Sequence, residues 1–462
     1  MLFPRPDRGR GVIILPMNYH IWTIGCQMNV ADSQRLASAL EQMGLSAVDQ
    51  PEAADIIILN TCVVRQSAED RAVGRLSSLK PLKQHNPELI INLMGCMVGV
   101  RSHDELERRF PYVDVFSPPS DLRPLMSYLF HQRGFQPEWD FEDPDDHPAL
   151  LLPERERGSS VSAYIPIVLG CSHACAYCII PYRRGPEISR PAADILEEVR
   201  SLAAQGIREV TLLGQIVDRY GLDLPGELSL SGLLREVHAV EGIERIRFLT
   251  SHPNWMSDEL LDTVAALPKV CEHFEVPVQA GSNEVLEGMR RGYTSEEYRA
   301  LIGRIRQRIP AASIANDIIV GFPGETDDQF HETEALIRDL RLDVVHLARY
   351  SPRPGTLSER KMEDNVPAAV KMQRFRILEN IQARIAAEIN ADYLDRSVEV
   401  LIEERQRGRW KGRTRTNKLV FVESEHNLNG KLINAGIIHT SPWSMRGNLE
   451  SVEGIPVEEP AS

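Results

Sequence analysis

The run Gly170-Cys171-Ser172-His173-Ala174-Cys175-Ala176-Tyr177-Cys178-Ile179-Ile180-Pro181 decides the reading of this chain. Three thiols spaced by three and then two residues can hold three irons of a four-iron cluster, leaving the fourth iron without a protein ligand. An open iron lets a cluster bind and reduce a small molecule. Zinc sites favour paired Cys-x-x-Cys runs, and clusters that only carry electrons favour four cysteines. Buried free thiols, the bland alternative, do not crowd together in this way. An open iron can chelate the amino and carboxylate groups of S-adenosylmethionine, and electron donation then yields a 5′-deoxyadenosyl radical. Cys171, Cys175 and Cys178 are therefore assigned as metal ligands and catalytic residues.

Downstream of this run the sequence alternates strand and helix. Candidate strands are 165–169, 209–213, 243–250, 273–278, 313–320 and 344–350, with helices such as 194–205 and 295–308 between them. Six β-α units predict a barrel or partial barrel whose functional groups lie at the C-terminal strand ends. Those ends carry Gly214 and Gln215, Ser251-His252-Pro253, Gln279, and the run Gly321-Phe322-Pro323-Gly324-Glu325. Small residues there let a ligand approach the backbone, and Gly214, Gln215, Gln279, Gly321 and Pro323 are assigned to cofactor binding. Tyr177, just before the third cysteine, is assigned to cofactor binding through adenine contact, with packing as the alternative. His252 and Glu325 read as a strand-end cap and a solvated charge ahead of proton-transfer groups. Arg183, Arg184 and Arg190 offer phosphate contacts or surface ion pairs. Cys271 reads as a core thiol.

Upstream lies a second alternation. Buried strands are expected at 19–25, 55–60 and 89–94, with helices at 31–43 and 66–79. Continuous apolar strands between helices predict a parallel sheet covered on both faces. Each strand runs into a cysteine: Cys26, Cys62 and Cys96. Ligands of open parallel sheets bind just beyond the carboxyl ends of strands, so these three thiols can converge on a second metal site. Two open-iron clusters imply sulfur insertion rather than hydrogen abstraction alone.

The chain has 462 residues, room for about three domains. No apolar run reaches membrane-spanning length, and an odd count of seven cysteines argues against a disulfide framework. Reduced thiols point to the cytoplasm. A net charge of −14 speaks against a nucleic-acid binder, but the charge is uneven. Acid gathers at Glu138, Asp140, Glu142, Asp143, Asp145 and Asp146, and base at Arg405, Arg407, Arg409, Lys411, Arg413, Arg415 and Lys418. The basic run, interleaved with Trp410, falls among short alternating strands that predict a small β-barrel suited to RNA backbone contact and stacking, with a solvated hairpin as the alternative. The expected organisation is an extension (1–17), an α/β domain (18–134), an acidic linker (135–160), a partial β/α barrel with a helical connector (161–392) and the small β-barrel (393–456).

The runs Gly25-Cys26-Gln27-Met28-Asn29, Asn60-Thr61-Cys62-Val63-Val64-Arg65, Ser251-His252-Pro253, Ser351-Pro352-Arg353-Pro354-Gly355-Thr356 and Gly412–Lys418, with both cysteine triads, resemble the radical-SAM methylthiotransferase family. The resemblance spans nearly all of the chain from Met17. It implies a radical-SAM barrel, a C-terminal TRAM domain, two [4Fe-4S] clusters and two S-adenosylmethionines per turnover, one giving the methyl group and one the radical. It further implies tRNA as partner, a flavodoxin- or ferredoxin-like reductant, a sulfur donor and a monomer. Within the family the runs point to methylthiolation of carbon 2 of an isopentenylated adenosine beside the tRNA anticodon. Relatives acting on a ribosomal-protein aspartate or on threonylcarbamoyl adenosine are the alternative, and a non-catalytic metal-bound RNA-binding protein is a third reading. Ile216, Glu275 and Asn316 depart from the pattern, which bears on contacts around S-adenosylmethionine.

Overall fold

The computed structural model describes residues 17–135, 150–224, 226 and 228–456. Residues 1–16 of the expected extension 1–17 and the acidic cluster from Glu138 to Asp146 lie outside the described residues. The chain divides into two compact units, Met1–Val63 with Ser67–Glu154, and Val64–Gln66 with Arg155–Ser462.

The first unit is built on a parallel sheet of β1 (Asn18–Thr23), β2 (Ser46–Ala47), β3 (Ile56–Thr61), β4 (Ile90–Gly95) and β5 (Val115–Ser117), in the order β2-β1-β3-β4-β5. Every residue of β3 and β4 is buried, as expected of strands covered on both faces. Tyr19, Leu36, Leu40, Ile58, Met94 and Leu129 form part of the core between sheet and helices. The helix expected at 31–43 starts earlier and spans Gln27–Gln42, because extended Cys26 is its N-cap. The apolar period that marks the helix in sequence begins only after that first turn. The helix expected at 66–79 continues to His85 with Pro81 inside it.

In the second unit, β6 (Ser162–Pro166), β9 (Glu209–Leu213) and β10 (Arg245–Phe248) form one parallel sheet, and β11 (His273–Glu275), β12 (Ser313–Val320) and β13 (Val344–Arg349) another. A bridge at Ile246 and Val270 and a hydrogen bond from Ser251 N to Glu275 O (2.9 Å) join them into the six-stranded partial barrel. The strand expected at 165–169 is split: Pro166 ends β6, and β7 (Val168–Leu169) turns to pair antiparallel with β8 (Ile188–Ser189). The strand expected at 273–278 stops at Glu275. Pro277 has no N–H to give, and Val278 N donates instead to the Asn316 side chain at 2.7 Å.

The helix Ala368–Ala391 leads to β14 (Ser397–Gln406), β15 (Arg409–Thr414), β16 (Leu419–Val422), β17 (Leu432–Thr440), β18 (Met445–Val452) and β19 (Ile455–Pro456). These pair in the order β16-β15-β14-β17-β18-β19, and a β16–β18 pairing closes the small barrel around Val400, Trp410, Val420, Ile433 and Met445.

Candidate metal centres

In the first unit the register of the parallel ladder brings the cysteines to one end of the sheet. Thr61 pairs with Gly95, and Ile24 N donates to Asn60 O at 2.9 Å. Cys62 and Cys96 are thus each one residue past a paired position, and Gly25 stands beside Cys62. A Cβ on Gly25 would lie 2.7 Å from Asn29 Oδ1 and 3.0 Å from Cys62 Cβ, and its φ is +148°. Glycine is required there for the Cys26 turn to approach Cys62.

Two asparagines lock this end. Asn29 Nδ2 donates to Asn60 Oδ1 (2.8 Å) and Thr61 O (3.0 Å), and Asn60 Nδ2 donates to Asn29 O (2.8 Å) and Ser33 Oγ (3.0 Å). Both side chains are fully buried. The first turn of the helix Gln27–Gln42 is thereby tied to the end of β3. Cys26 is exposed, and Cys62 and Cys96 are buried.

The residues fit a cluster better than a single ion. Neighbouring strands stand about 4.8 Å apart, so thiols at the ends of three adjacent strands span a wider group. A donor set of thiolates alone suits iron–sulfur ligation.

The second centre is the loop after β7. Gly170 has φ +65°, and a Cβ there would collide with the carbonyl oxygen of Pro186. Cys171 N donates to Gly185 O (3.1 Å), Ala176 N to Met289 O (2.9 Å), Cys178 N to Cys175 O (3.2 Å) and Ser358 N to Ala176 O (2.8 Å). The loop is held from three directions. Burial pushes the Cys171 thiol up to about 11 and the Cys178 thiol up to about 12, and the charge of Cys175 adds to both. Cys171 and Cys178, whose ionisation burial opposes, are groups that a strongly cationic centre such as cluster iron would bring to the thiolate form, with release of protons on binding. Cys171 and Ile180 pack on Ile216, with Cys178 and Trp255 against them; Ile216 is thus an apolar wall of the cysteine loop.

His252 is buried, and its ring lies 4.6 Å from His173, 4.7 Å from Trp255 and 5.5 Å from Tyr293. Asn254 N donates to Nδ1 at 3.3 Å. The neutral ring therefore carries its proton on Nε2, which has no partner among the described residues. Burial, helped by the nearby Arg291, pushes His252 down to about 2, so at neutral pH it can donate a hydrogen bond but not hold an extra proton. Glu325 accepts from Gly321 N (2.6 Å) and from Arg374 (2.6 Å), clamping the strand-end loop to the helix Ala368–Ala391. Burial raises its carboxyl despite Arg374.

Tyr177 is half-buried within the cysteine loop. Gly214 faces Val168 and Val217, Gly321 packs on the stem of Lys371, and Gln279 is buried with φ +79°. Gln215 and Pro323 follow these strand ends and are half-buried. Arg190 pairs with buried Glu198 at 2.8 Å. Cys271 is a buried core thiol, raised by burial.

The basic run divides in two. Arg405, Arg407 and Arg409 are exposed around the β14–β15 turn, with Arg405 over Trp410 and Arg409 paired to Glu423. Lys411 pairs with Glu404 at 2.6 Å. Arg413 meets Glu403 at 3.2 Å, Arg415 meets Glu272 at 2.6 Å and Lys418 meets Asp343 at 2.7 Å. Arg245, 1 % exposed, donates to Arg413 O, and Arg247 donates to Thr414 O and Arg415 O. The segment 413–418 is therefore a joint between the small barrel and the N-terminal ends of the β/α strands.

Sequence reading gave no role to Arg291, Asn29 or Asn60. Arg291 is buried and donates to Cys175 Sγ at 3.2 Å. The two asparagines stood inside quoted motifs, and the run Met289–Tyr293 carried no spacing signal.

Residues 18–117 match the model of Uncharacterized protein family UPF0004, and residues 165–337 match the Radical SAM superfamily. The chain is 46 % identical over 96 % of its length to tRNA-2-methylthio-N(6)-dimethylallyladenosine synthase of Chloroflexus aurantiacus, covering 93 % of that protein. It is 45 % identical to the synthase of that name from Herpetosiphon aurantiacus, over 93 % of this chain and 97 % of that one. Among solved structures, the radical S-adenosylmethionine methyltransferase TsrM from Kitasatospora setae, with cobalamin and a [4Fe-4S] cluster bound, shares the fold at TM-score 0.54 and 15 % identity, over 75 % of this chain and 77 % of that one. With two cysteine triads set at strand ends and this likeness over nearly its whole length, the chain belongs to the family of tRNA-2-methylthio-N(6)-dimethylallyladenosine synthases.

Proposed function

We propose that this enzyme replaces the hydrogen on carbon 2 of N6-dimethylallyladenosine, beside the tRNA anticodon, with a methylthio group. The observation that carries this reading is the presence of two separate three-thiol sets, one in each unit, Cys26, Cys62 and Cys96 beside the ends of one parallel sheet and Cys171, Cys175 and Cys178 in one braced loop. With S-adenosylmethionine, the cluster at Cys171, Cys175 and Cys178 supplies radical generation, and the one at Cys26, Cys62 and Cys96 supplies the place where sulfur is held. The protein's own part is to brace the cysteine loop, to wall it with Ile216 and Trp255, and to keep His252 neutral so that its Nε2–H can orient an acceptor.

Arg405, Arg407 and Arg409, exposed at the β14–β15 turn, provide the RNA-contacting edge through phosphate contacts, while Trp410 is buried in the small barrel's core and offers no stacking face. Tyr177, Gln215 and Gln279 contribute to the S-adenosylmethionine pocket. A low-potential flavodoxin- or ferredoxin-like protein supplies electrons, and a separate donor supplies sulfur. Among the described residues no helix is long and apolar enough to cross a membrane, and the proposed site of action is the cytoplasm, where tRNA resides.

Expression in a bacterial strain without its own methylthiotransferase tests the reading. Mass spectrometry of tRNA nucleosides should show 2-methylthio-N6-dimethylallyladenosine with the intact chain and only the unthiolated nucleoside with Cys62→Ala. Product formation by Cys62→Ala, or its absence with the intact chain, would refute it.

A further inference from the structure

Arg291 is a buried cation that meets no carboxylate among the described residues. A desolvated guanidinium without a counter-charge is costly. Its fork is nonetheless fixed. Nε donates to Tyr293 Oη at 2.9 Å, and Nη2 donates to Pro277 O at 3.0 Å. Tyr293 Oη donates onward to Val278 O at 2.8 Å, so the acceptor of Nε is itself anchored. The backbone is held as well, by Arg291 N to Leu286 O (3.0 Å) and by Ala176 N to Met289 O (2.9 Å). What remains is Nη1, which points at Cys175 Sγ from 3.2 Å. The planar guanidinium cannot turn away without giving up both other contacts.

We infer that Arg291 is a positioning residue for the radical-generating cluster, giving the Cys175 thiolate a charge-assisted hydrogen bond that raises the cluster's reduction potential. This rests on the assignment of Cys171, Cys175 and Cys178 as cluster ligands. Hydrogen bonds to ligating sulfurs and nearby positive charge favour the form carrying the extra electron, and both act here through one side chain. A second consequence follows from the same geometry. Cys175 is the middle ligand of the triad, so the segment Met289–Tyr293 fixes the loop at its centre through both backbone and side chain.

The test uses full-length protein in which Cys26, Cys62 and Cys96 are replaced by Ala, so that one cluster alone is titrated. After anaerobic reconstitution, iron content and the EPR-monitored midpoint potential are compared for the parent, Arg291→Gln, Arg291→Lys and Tyr293→Phe. At one fixed poise the reduced-to-oxidised ratio should fall about tenfold in Arg291→Gln, equivalent to about 59 mV for one electron. Arg291→Lys, which keeps the charge but not the fork, should recover part of the shift. Tyr293→Phe, which frees Nε, should move the potential the same way by less. An unchanged midpoint in Arg291→Gln with full iron would overturn the inference. If Arg291→Gln fails to hold iron, unchanged midpoints in loaded Arg291→Lys and Tyr293→Phe would overturn it equally. A parent that binds no four-iron cluster would instead refute the assignment of the triad, and the inference with it.

Discussion

Asn60 engages both ends of its amide while fully buried, reaching Asn29 and Ser33 from the last turn of the sheet. Replacing it with Ala leaves the Asn29 amide only Thr61 O and takes away the Asn60 amide donor to the Asn29 carbonyl, a loss of about 1–3 kcal/mol for each unsatisfied buried group. Chemical denaturation should therefore show Asn60→Ala destabilised by that order. Reconstituted Asn60→Ala should also lose iron from the first unit while keeping the cluster at Cys171, because the asparagine lock sets the Cys26 turn against Cys62. Glu275 works in the opposite sense. Burial, reinforced by Asp317, pushes its carboxyl up to about 7 from the ordinary 4.5. Between those two values the unfolded chain has released the proton and the folded chain retains it, so stability falls as pH rises from about 4.5 to about 7. Glu275→Gln should flatten that slope, raising the melting temperature at pH 8 and changing it little at pH 4.5; a variant equally shifted at both values would contradict the argument. One pKa unit corresponds to about 1.4 kcal/mol.

At the scale of elements, the cysteine loop was legible from spacing alone, whereas its supports were not. Cys171, Cys175 and Cys178 announce themselves within eight positions of sequence, but Met289, Gly185 and Ser358 reach the loop only through the fold. Strand ends were likewise readable where apolar runs stop, as at Ile56–Thr61 and Ile90–Gly95. Strand breaks at Pro166 and Pro277 were missed because the apolar pattern runs straight through them. The start of the helix at Gln27 was missed because its first turn is polar and serves the site rather than the core. Gly170 gives the sharpest test of the loop. With φ +65° and the Pro186 carbonyl against it, the position has no space for a methyl group. Gly170→Ala should lose the cluster of the second unit, seen as iron falling to about half, with loss of deoxyadenosine formation from S-adenosylmethionine. Retention of full iron would show that the loop adapts.

For the molecule as a whole, three regions were readable from strand and helix periodicity, with one cysteine triad legible in its spacing and the other in its recurrence after three strands. The use of the basic run was only half readable. A stretch of Arg and Lys in sequence does not distinguish a solvent-facing edge from a joint. Here Arg407 is exposed, while Arg415 grips Glu272 and the carbonyls of Pro268 and Val270. Arg415→Ala should therefore destabilise the second unit by about 1–3 kcal/mol through loss of that joint. Arg407→Ala should leave stability unchanged, weaken tRNA binding across sequences and reduce the salt slope of binding by about 1. Equal effects of the two on stability would contradict this division. Methylthiolation by this chain requires one cluster in each unit. Iron and sulfide analysis of anaerobically reconstituted full-length protein tests this directly: about eight irons per chain are predicted, falling to about four with Cys62→Ala and to about four with Cys175→Ala, whereas about four in the intact chain would contradict it.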